Sequence, residues 1–403
     1  MITKKNVMNY SLHILNGVIP IILIFYLNSK SSLTFMGYFF KALAVIGSVQ
    51  LFVDYGFNFS AIRTYREFSF NKYSLQNRFN FFANVILTKC LIGGGVFILY
   101  VCYSEFIITY LDLADLSYIF FGIVFSVANL NWFFYATDKS LEFNWVLIVL
   151  RIISFLVLLV LPLRLDYLLI INFAPYLISN LLLMGYLLYK QYPIGIIQFP
   201  KFEILKTLKS GWGIFSNGIV ISFLTIGWPI LLAKFISIDL IGLYGLADRI
   251  SRGLRNLIGP LPFLILSSHE QKAGFNFQTF NKKYAMLFGL TLICVPLGFV
   301  LTPNSLLGNL LKAEVINFRL LLNLYSLGFI AGALNALFYT YLIKFSKETL
   351  YLIYFIVAYI LGITLGVLFG TYIFMPLFVE FVLCFLLIFK FLSEYKKQKL
   401  YGM

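Results

Sequence analysis

Twelve apolar runs, each long enough to cross a lipid bilayer as a helix, follow one another through this chain. They leave few alternatives for its fold. The hydrocarbon core of a bilayer is about 30 Å thick and takes about 20 helical residues to span. Runs near that length cover residues 8–28, 33–59, 79–103, 116–136, 145–163, 167–189, 211–233, 240–267, 284–302, 318–343, 350–372 and 376–392. They are continuous rather than alternating, so a closed β-barrel is excluded and helices must satisfy the backbone in lipid. Hydrophobic residues make up 61% of the chain and charged residues 12%. An ordinary soluble domain has roughly 45–50% and about 25%, so lipid is the solvent here and a water-soluble globule is ruled out. The expected fold is an all-α polytopic membrane protein with about 12 transmembrane helices.

The basic residues give the orientation, because cytoplasmic loops collect Lys and Arg. With the amino terminus inside, twenty of the 31 fall in cytoplasmic loops and termini, while Lys30, Arg164, Lys234 and Lys312 fall outside. An even number of spans then places both termini in the cytoplasm. The net charge of +15 reports loops facing anionic lipid, and no nucleic acid is implied. The first run follows Lys4 and Lys5 without a defensible cleavage site and is read as a retained span. A polar stretch at 191–210 with Pro193 and Pro200 divides the chain into a six-helix bundle at 1–190, a cytoplasmic linker, and a second six-helix bundle at 211–403. Asn16-Gly17 is echoed by Asn217-Gly218, and Gly37-Tyr38 by Gly242-Leu243-Tyr244. Six is even, so such repeats run parallel, related by an axis along the membrane normal.

Enzyme signatures are missing. The chain has two histidines and no HExxH, GxSxG or Walker loop, which removes the common marks of hydrolases and ATP-driven pumps. Cys90, Cys102, Cys294 and Cys384 have no CxxC spacing and are read as packing residues. No cofactor and no metal are expected.

The charges inside apolar runs carry the chemistry. A charge at the bilayer centre costs about 2.5–3.5 kcal/mol on insertion scales, so such residues usually face the bundle interior and mark a pathway. At about 100° per residue, Asp248, Arg249, Arg252, Arg255 and Asn256 share one side of span 8, opposite Ile250, Gly253, Leu254, Leu257 and Ile258. A guanidinium fork suits phosphate because it donates two hydrogen bonds and stays charged. The alternative is that Asp248 pairs with Arg252 and the others snorkel. Lys41, Lys89 and Arg151 are solitary on separate spans, either lining a cationic cavity or snorkelling. Asp54, Asp248 and Glu380 are the embedded carboxylates and the candidates for a coupling ion. Asp54 has a competing reading as a partner of Arg63 or Arg66, whereas Glu380 has no obvious local partner. Pro260 and Pro262, after the arginine cluster, mark either a hinge or a static kink.

The run Val53-Asp54-Tyr55-Gly56-Phe57-Asn58-Phe59-Ser60-Ala61-Ile62-Arg63 resembles a motif of bacterial O-antigen flippases, the polysaccharide transporter family. Asn131-Trp132-Phe133-Phe134-Tyr135-Ala136-Thr137-Asp138-Lys139 resembles that family's tryptophan-containing segment, with Ala136-Thr137-Asp138 where a Gln-Gly pair and a glutamate are commoner. Gly242-Leu243-Tyr244-Gly245-Leu246-Ala247-Asp248-Arg249 resembles its start of span 8. The resemblance implies a twelve-helix fold like that of the multidrug and toxic-compound extrusion (MATE) proteins. It also implies residence in the bacterial cytoplasmic (inner) membrane and flipping of an undecaprenyl-pyrophosphate-linked oligosaccharide repeat unit to the outer leaflet. Antiport of H+ or Na+ and work alongside a polysaccharide polymerase and a chain-length regulator are part of the same expectation. In this reading Arg249, Arg252 and Arg255 hold phosphate, while Lys41, Lys89 and Arg151 widen the positive field. The rival from another class is a membrane polymerase or ligase acting on the same units, which needs a larger external loop than the sequence offers. Export of cationic drugs would call for more embedded carboxylates than three.

Overall fold

The computed structural model describes residues 4–70, 74–104, 116–191, 201–222, 228–232, 236–255, most of 323–342, 348–370 and 372–401. Every regular element among them is helical. In chain order they are α1 (Lys4–Lys30), α2 (Leu33–Asp54), α3 (Phe57–Phe70), α4 (Leu75–Cys102), α5 (Leu116–Ala128), α6 (Asn131–Ala136) and α7 (Ser140–Val160). There follow α8 (Leu165–Gln191), α9 (Ile204–Ser222), α10 (Trp228–Leu232), α11 (Ile238–Arg255), α12 (Glu348–Leu368) and α13 (Met375–Tyr401). Helical residues also recur between 323 and 342. The expected span at 284–302 lies outside the described residues, as do Cys294, Pro260 and Pro262.

Six helical stretches among the described residues are long and apolar enough to cross a membrane: Leu33–Phe68, Leu75–Cys102, Ser117–Ala136, Ser140–Val160, Leu165–Lys190 and Thr349–Leu368. Their outer faces carry large apolar side chains that no soluble protein would show to water. Val160 is 86% exposed, Leu368 73% and Ile98 62%, which fits lipid as their solvent. Cys384 packs inside, whereas Cys90 and Cys102 are exposed on α4, so the packing reading of the cysteines fails for those two.

By contacts the chain forms two compact units. One comprises residues 1–16 and 39–234, the other 17–38 and 235–403. In the first unit two apolar runs that read as single spans are broken. Span 2 turns at Tyr55 (φ 46°) and Gly56 (φ 73°), two left-handed residues that end α2 and let α3 restart at Phe57. The corner is held from outside. A Cβ on Gly56 would lie 2.9 Å from Ile214 Cγ2 and 3.0 Å from the Phe215 nitrogen, and the Tyr55 ring stacks on Phe215 at 4.1 Å. The backbone before α9 is tied to α4 by buried Asn84, which donates to the Lys201 carbonyl at 2.7 Å and accepts from the Glu203 N–H at 2.6 Å.

The second break, at Asn129-Leu130, separates α5 from α6. Around α6 lies an aromatic core in which Trp132, Phe133 and Phe134 are fully buried with Phe57, Tyr65, Phe82 and Phe143. Phe82 meets Phe133 at 4.7 Å and Phe134 stacks on Phe143 at 4.9 Å. Rings of this size contribute burial plus about 0.5–1.5 kcal/mol per favourable pair. The cluster joins two of the three segments that carried the sequence resemblance, since α3 packs along α6 and Arg66 donates to the Tyr135 carbonyl (3.0 Å) and to Asp138 (3.1 Å). Beyond α6, Glu142 accepts from Lys139 at 2.8 Å, and this hydrogen bond raises the lysine above its ordinary range.

In the second unit α12 and α13 form a close antiparallel pair. A Cβ on Gly362 would fall 2.8 Å from the Val379 nitrogen, so the missing side chain lets the backbones approach. The start of α2 crosses the start of α11 in the same unit, with Thr34 donating to Asp239 at 2.7 Å. A Cβ on Gly37 would strike the carbonyl oxygen of Ile238, and a Cβ on Gly242 would strike that of Leu33. Ser32 Oγ accepts from the Phe35 N–H at 3.2 Å, and Ser237 Oγ accepts from the Leu240 N–H at 3.4 Å, so both helices start with the same serine cap.

Candidate functional site

Broken helices at membrane depth expose carbonyls and N–H groups that lipid cannot satisfy, so their surroundings are where polar function collects. The α5–α6 break is closed by side chains from three other helices. Lys89 of α4 is fully buried, and its ammonium donates to the Ser126 carbonyl (3.0 Å), the Asn129 carbonyl (2.9 Å) and Asp54 Oδ1 at the end of α2 (2.7 Å). All three of its protons are used. It caps the carbonyl end of α5 as a cation should at that pole. On the other side of the break, Asn180 of α8 accepts from the Leu130 N–H at 2.9 Å. Asn58 and Asn129 make longer contacts of 3.5 Å to Asp54 Oδ2.

This arrangement corrects part of the sequence reading. Asp54 pairs with Lys89, and Arg66 goes to Asp138; the partner of Asp54 came from a different span because the α2–α3 corner carries Arg66 toward α6. Lys89, solitary in the sequence, thus meets Asp54 as an ion pair.

A second polar centre lies at mid-membrane. Arg151 stands eleven residues into α7, about 16 Å along the axis at 1.5 Å per residue, near the middle of a core about 30 Å thick. Its Nη1 donates to the backbone carbonyl of Asn16 on α1 and lies 3.4 Å from Asn16 Oδ1. The guanidinium also sits 4.8 Å from the Tyr176 ring centroid of α8, a cation–π contact. Asn16 in turn donates to Asn144 Oδ1 at 3.2 Å. The Asn16 carbonyl is available because residue 20 is proline: the N–H that would close the helical bond from position 20 to 16 does not exist. Arg151 makes no ion pair with any described residue, and its Nε and Nη2 donors have no partner among them. The fork is thus held on one edge, and its other edge meets none of the described residues.

The remaining candidates are dispersed. Lys41 is buried on α2 at 8% exposure, one turn beyond Gly37. Asp248 and Arg249 are half-buried on α11. Arg252 and Arg255 stand in the last turns of that helix, and their side chains lie outside the described ones. Glu380 of α13 does have a partner: buried Asn335 donates to its Oε2 at 3.1 Å and to its backbone carbonyl at 3.0 Å. Asn16, Asn180 and Asn335 are the residues that sequence reasoning missed as site members. Only Asn16 carried a signal, as half of the Asn-Gly echo and four residues before a proline. Among the described residues no group of three or more His, Cys, Asp or Glu is placed to hold a metal.

The described residues form an all-helical fold with helices long and apolar enough for several membrane spans, two of them broken, and solved structures share that fold. The fold is shared with a multidrug resistance MATE family transporter of the MOP superfamily solved in an inward-facing conformation (TM-score 0.64, 11% identity, 97% of this chain and 100% of that one). It is shared equally with a mutant of the Vibrio cholerae MATE transporter VcmN (TM-score 0.62, 13% identity, 99% of each chain). A eukaryotic MATE transporter, AtDTX14, aligns with a TM-score of 0.50 and 15% identity over 96% of this chain and 94% of its own. The chain belongs to the polysaccharide biosynthesis protein family, whose model matches residues 2–262. No curated protein matches it by sequence.

Proposed function

We propose that this protein is a flippase. It moves undecaprenyl-pyrophosphate-linked repeat units of O-antigen or a similar polysaccharide from the inner to the outer leaflet of the bacterial cytoplasmic membrane, with both termini in the cytoplasm. The observation that carries this reading is the open guanidinium edge of Arg151 at mid-membrane in a chain of the polysaccharide biosynthesis family. A cation at that depth with no carboxylate partner among the described residues calls for an anion, and a pyrophosphate supplies one with the matching bidentate geometry. Arg249, Arg252 and Arg255 bind the same group from α11, with Lys41 and Lys89 adding to the field. The prenyl tail stays in lipid while the head crosses. Asp54, Asp248 and Glu380 carry the coupling H+ or Na+, and differential binding of substrate and ion rocks the carrier between its two openings. A polymerase and a chain-length regulator act next on the product.

The test is surface polysaccharide on a host deleted for this chain and carrying empty vector, wild type, Arg252→Ala or Arg151→Gln. The glutamine removes charge but keeps an amide able to donate to Asn16. Wild type restores the polysaccharide; both variants, shown by immunoblot to be in the membrane, give the empty-vector level. Full restoration by both variants overturns the cationic path. Single unpolymerised repeat units on the surface of the deletion strain would instead mean that flipping proceeds without this protein, and a polymerase or ligase would be the better reading.

A further inference from the structure

The surroundings of the Lys89 ammonium are unusual for a structural ion pair. Besides Asp54 Oδ1 at 2.7 Å, it meets the backbone carbonyls of Ser126 at 3.0 Å and Asn129 at 2.9 Å. Ser126 lies in the last turn of α5 and Asn129 just past its end, so both carbonyls belong to the negative pole of that helix. The oxygens are held in place by bonds that do not involve the lysine. Ser126 Oγ donates to the Gln50 carbonyl of α2 at 3.3 Å, and the side-chain amides of Asn58 and Asn129 stand 3.5 Å from Asp54 Oδ2.

Carbonyls released at the end of a half-helix, joined by a carboxylate, are the ligands that broken transmembrane helices offer to a free monovalent cation. An ammonium and a dehydrated alkali ion ask the same of them: one positive charge surrounded by several oxygens. Lys89 supplies that charge from α4 on a flexible, unbranched stem, and it is fully buried. The carboxylate side is not sealed, since the Asp54 side chain keeps 16% exposure.

We propose that Asp54 Oδ1 and the Ser126 and Asn129 carbonyls form a monovalent-cation site whose resident cation is the Lys89 ammonium. The tether makes the α5–α6 break independent of free ions, and any Na+ or K+ that reaches Asp54 competes with it. Removing the stem while keeping the oxygens converts the place into an ordinary site for a free cation. The inference is read in stability and stands apart from export, so its failure leaves the flippase reading where it was.

The experiment follows thermal unfolding of wild type, Lys89→Ala and Lys89→Met in detergent. The salts are NaCl, KCl, n-propylammonium chloride and choline chloride at matched ionic strength. Alanine empties a space of the shape of propylammonium, whereas methionine fills it with an uncharged chain. Lys89→Ala should melt a few degrees higher in propylammonium and in at least one alkali chloride than in choline, and the rise should saturate with concentration. Wild type and Lys89→Met should melt alike in every salt, and adding Asp54→Asn to Lys89→Ala should abolish its response. A Lys89→Ala chain that melts alike in every salt overturns the site. So does an equal response in wild type or Lys89→Met, because the cation then acts elsewhere. Lys89→Gln, whose amide still donates to the carbonyls, runs in the same series and decides the matter if the alanine chain is not recovered. Failure of both to reach the membrane also overturns the site, since the cytoplasm already supplies K+ to an open one.

Discussion

Arg151 donates to the backbone carbonyl of Asn16, the one acceptor on α1 that Pro20 strips of its helical N–H. A mid-membrane arginine and a proline on another helix are thereby parts of one structural unit. Removing the arginine strands a carbonyl where no water can replace it, at a cost of about 1–3 kcal/mol for a buried unsatisfied group. Arg151→Ala should lower the temperature at which detergent-solubilised protein loses its monodisperse gel-filtration peak. Pro20→Ala gives the carbonyl back an N–H, so the arginine deletion should cost clearly less in that background. Equal costs in both backgrounds would mean that the carbonyl is not what Arg151 serves.

The Lys89–Asp54 pair makes a second double-mutant case. Breaking a buried pair from one side leaves an uncompensated charge and costs about 3–5 kcal/mol, whereas removing both partners is much milder. Lys89→Met and Asp54→Leu should each reduce the folded yield in membranes strongly, and the double variant should recover part of it. If losses simply add, the pair is not the interaction that matters.

Trp132 fills the centre of the aromatic core beneath the α5–α6 break. Truncation there opens a large cavity, and Trp132→Ala should destabilise by about 3–5 kcal/mol. Trp132→Phe, which keeps a ring against Phe82 and Tyr65, should cost less than half as much. Thermal stability in detergent separates the two, and indistinguishable melting of wild type and Trp132→Ala would contradict the packing role.

Gly56 combines a φ of 73° with contact to α9. Any L side chain meets both the left-handed penalty of about 1–2 kcal/mol and the Ile214 methyl. Gly56→Ala should therefore be destabilising, and Ile214→Val should relieve only the contact part. Wild-type stability in Gly56→Ala would show that the corner is not fixed as described.

The helical spans were legible because hydrophobic length maps directly onto bilayer thickness, and α1, α4, α7, α8, α12 and α13 begin or end close to where the apolar runs do. The breaks were not. Asn129-Leu130 lies inside an unbroken apolar run, and what ends α5 there is a lysine from α4 and an asparagine from α8, neither visible in local sequence. Charge pairing was illegible for the same reason: periodicity reveals partners three or four positions apart on one helix, but Asp54 and Lys89 are separated by a turn of the whole chain, as are Glu380 and Asn335. The Gly37 and Gly242 echo could be read because each glycine precedes a tyrosine near the start of the second span of its half. That the two copies touch could not be read from spacing.

The reciprocal fit of the two glycines has a consequence for how the sequence can drift. A side chain acquired at either one collides with the opposite backbone, so no single mutational step is open at Gly37 or Gly242, while the flanking lipid-facing positions tolerate almost any apolar exchange. The serine and the glycine that match between Ser32–Gly37 and Ser237–Gly242 are thus tied to a helix cap and to a backbone contact rather than to lipid-facing surface.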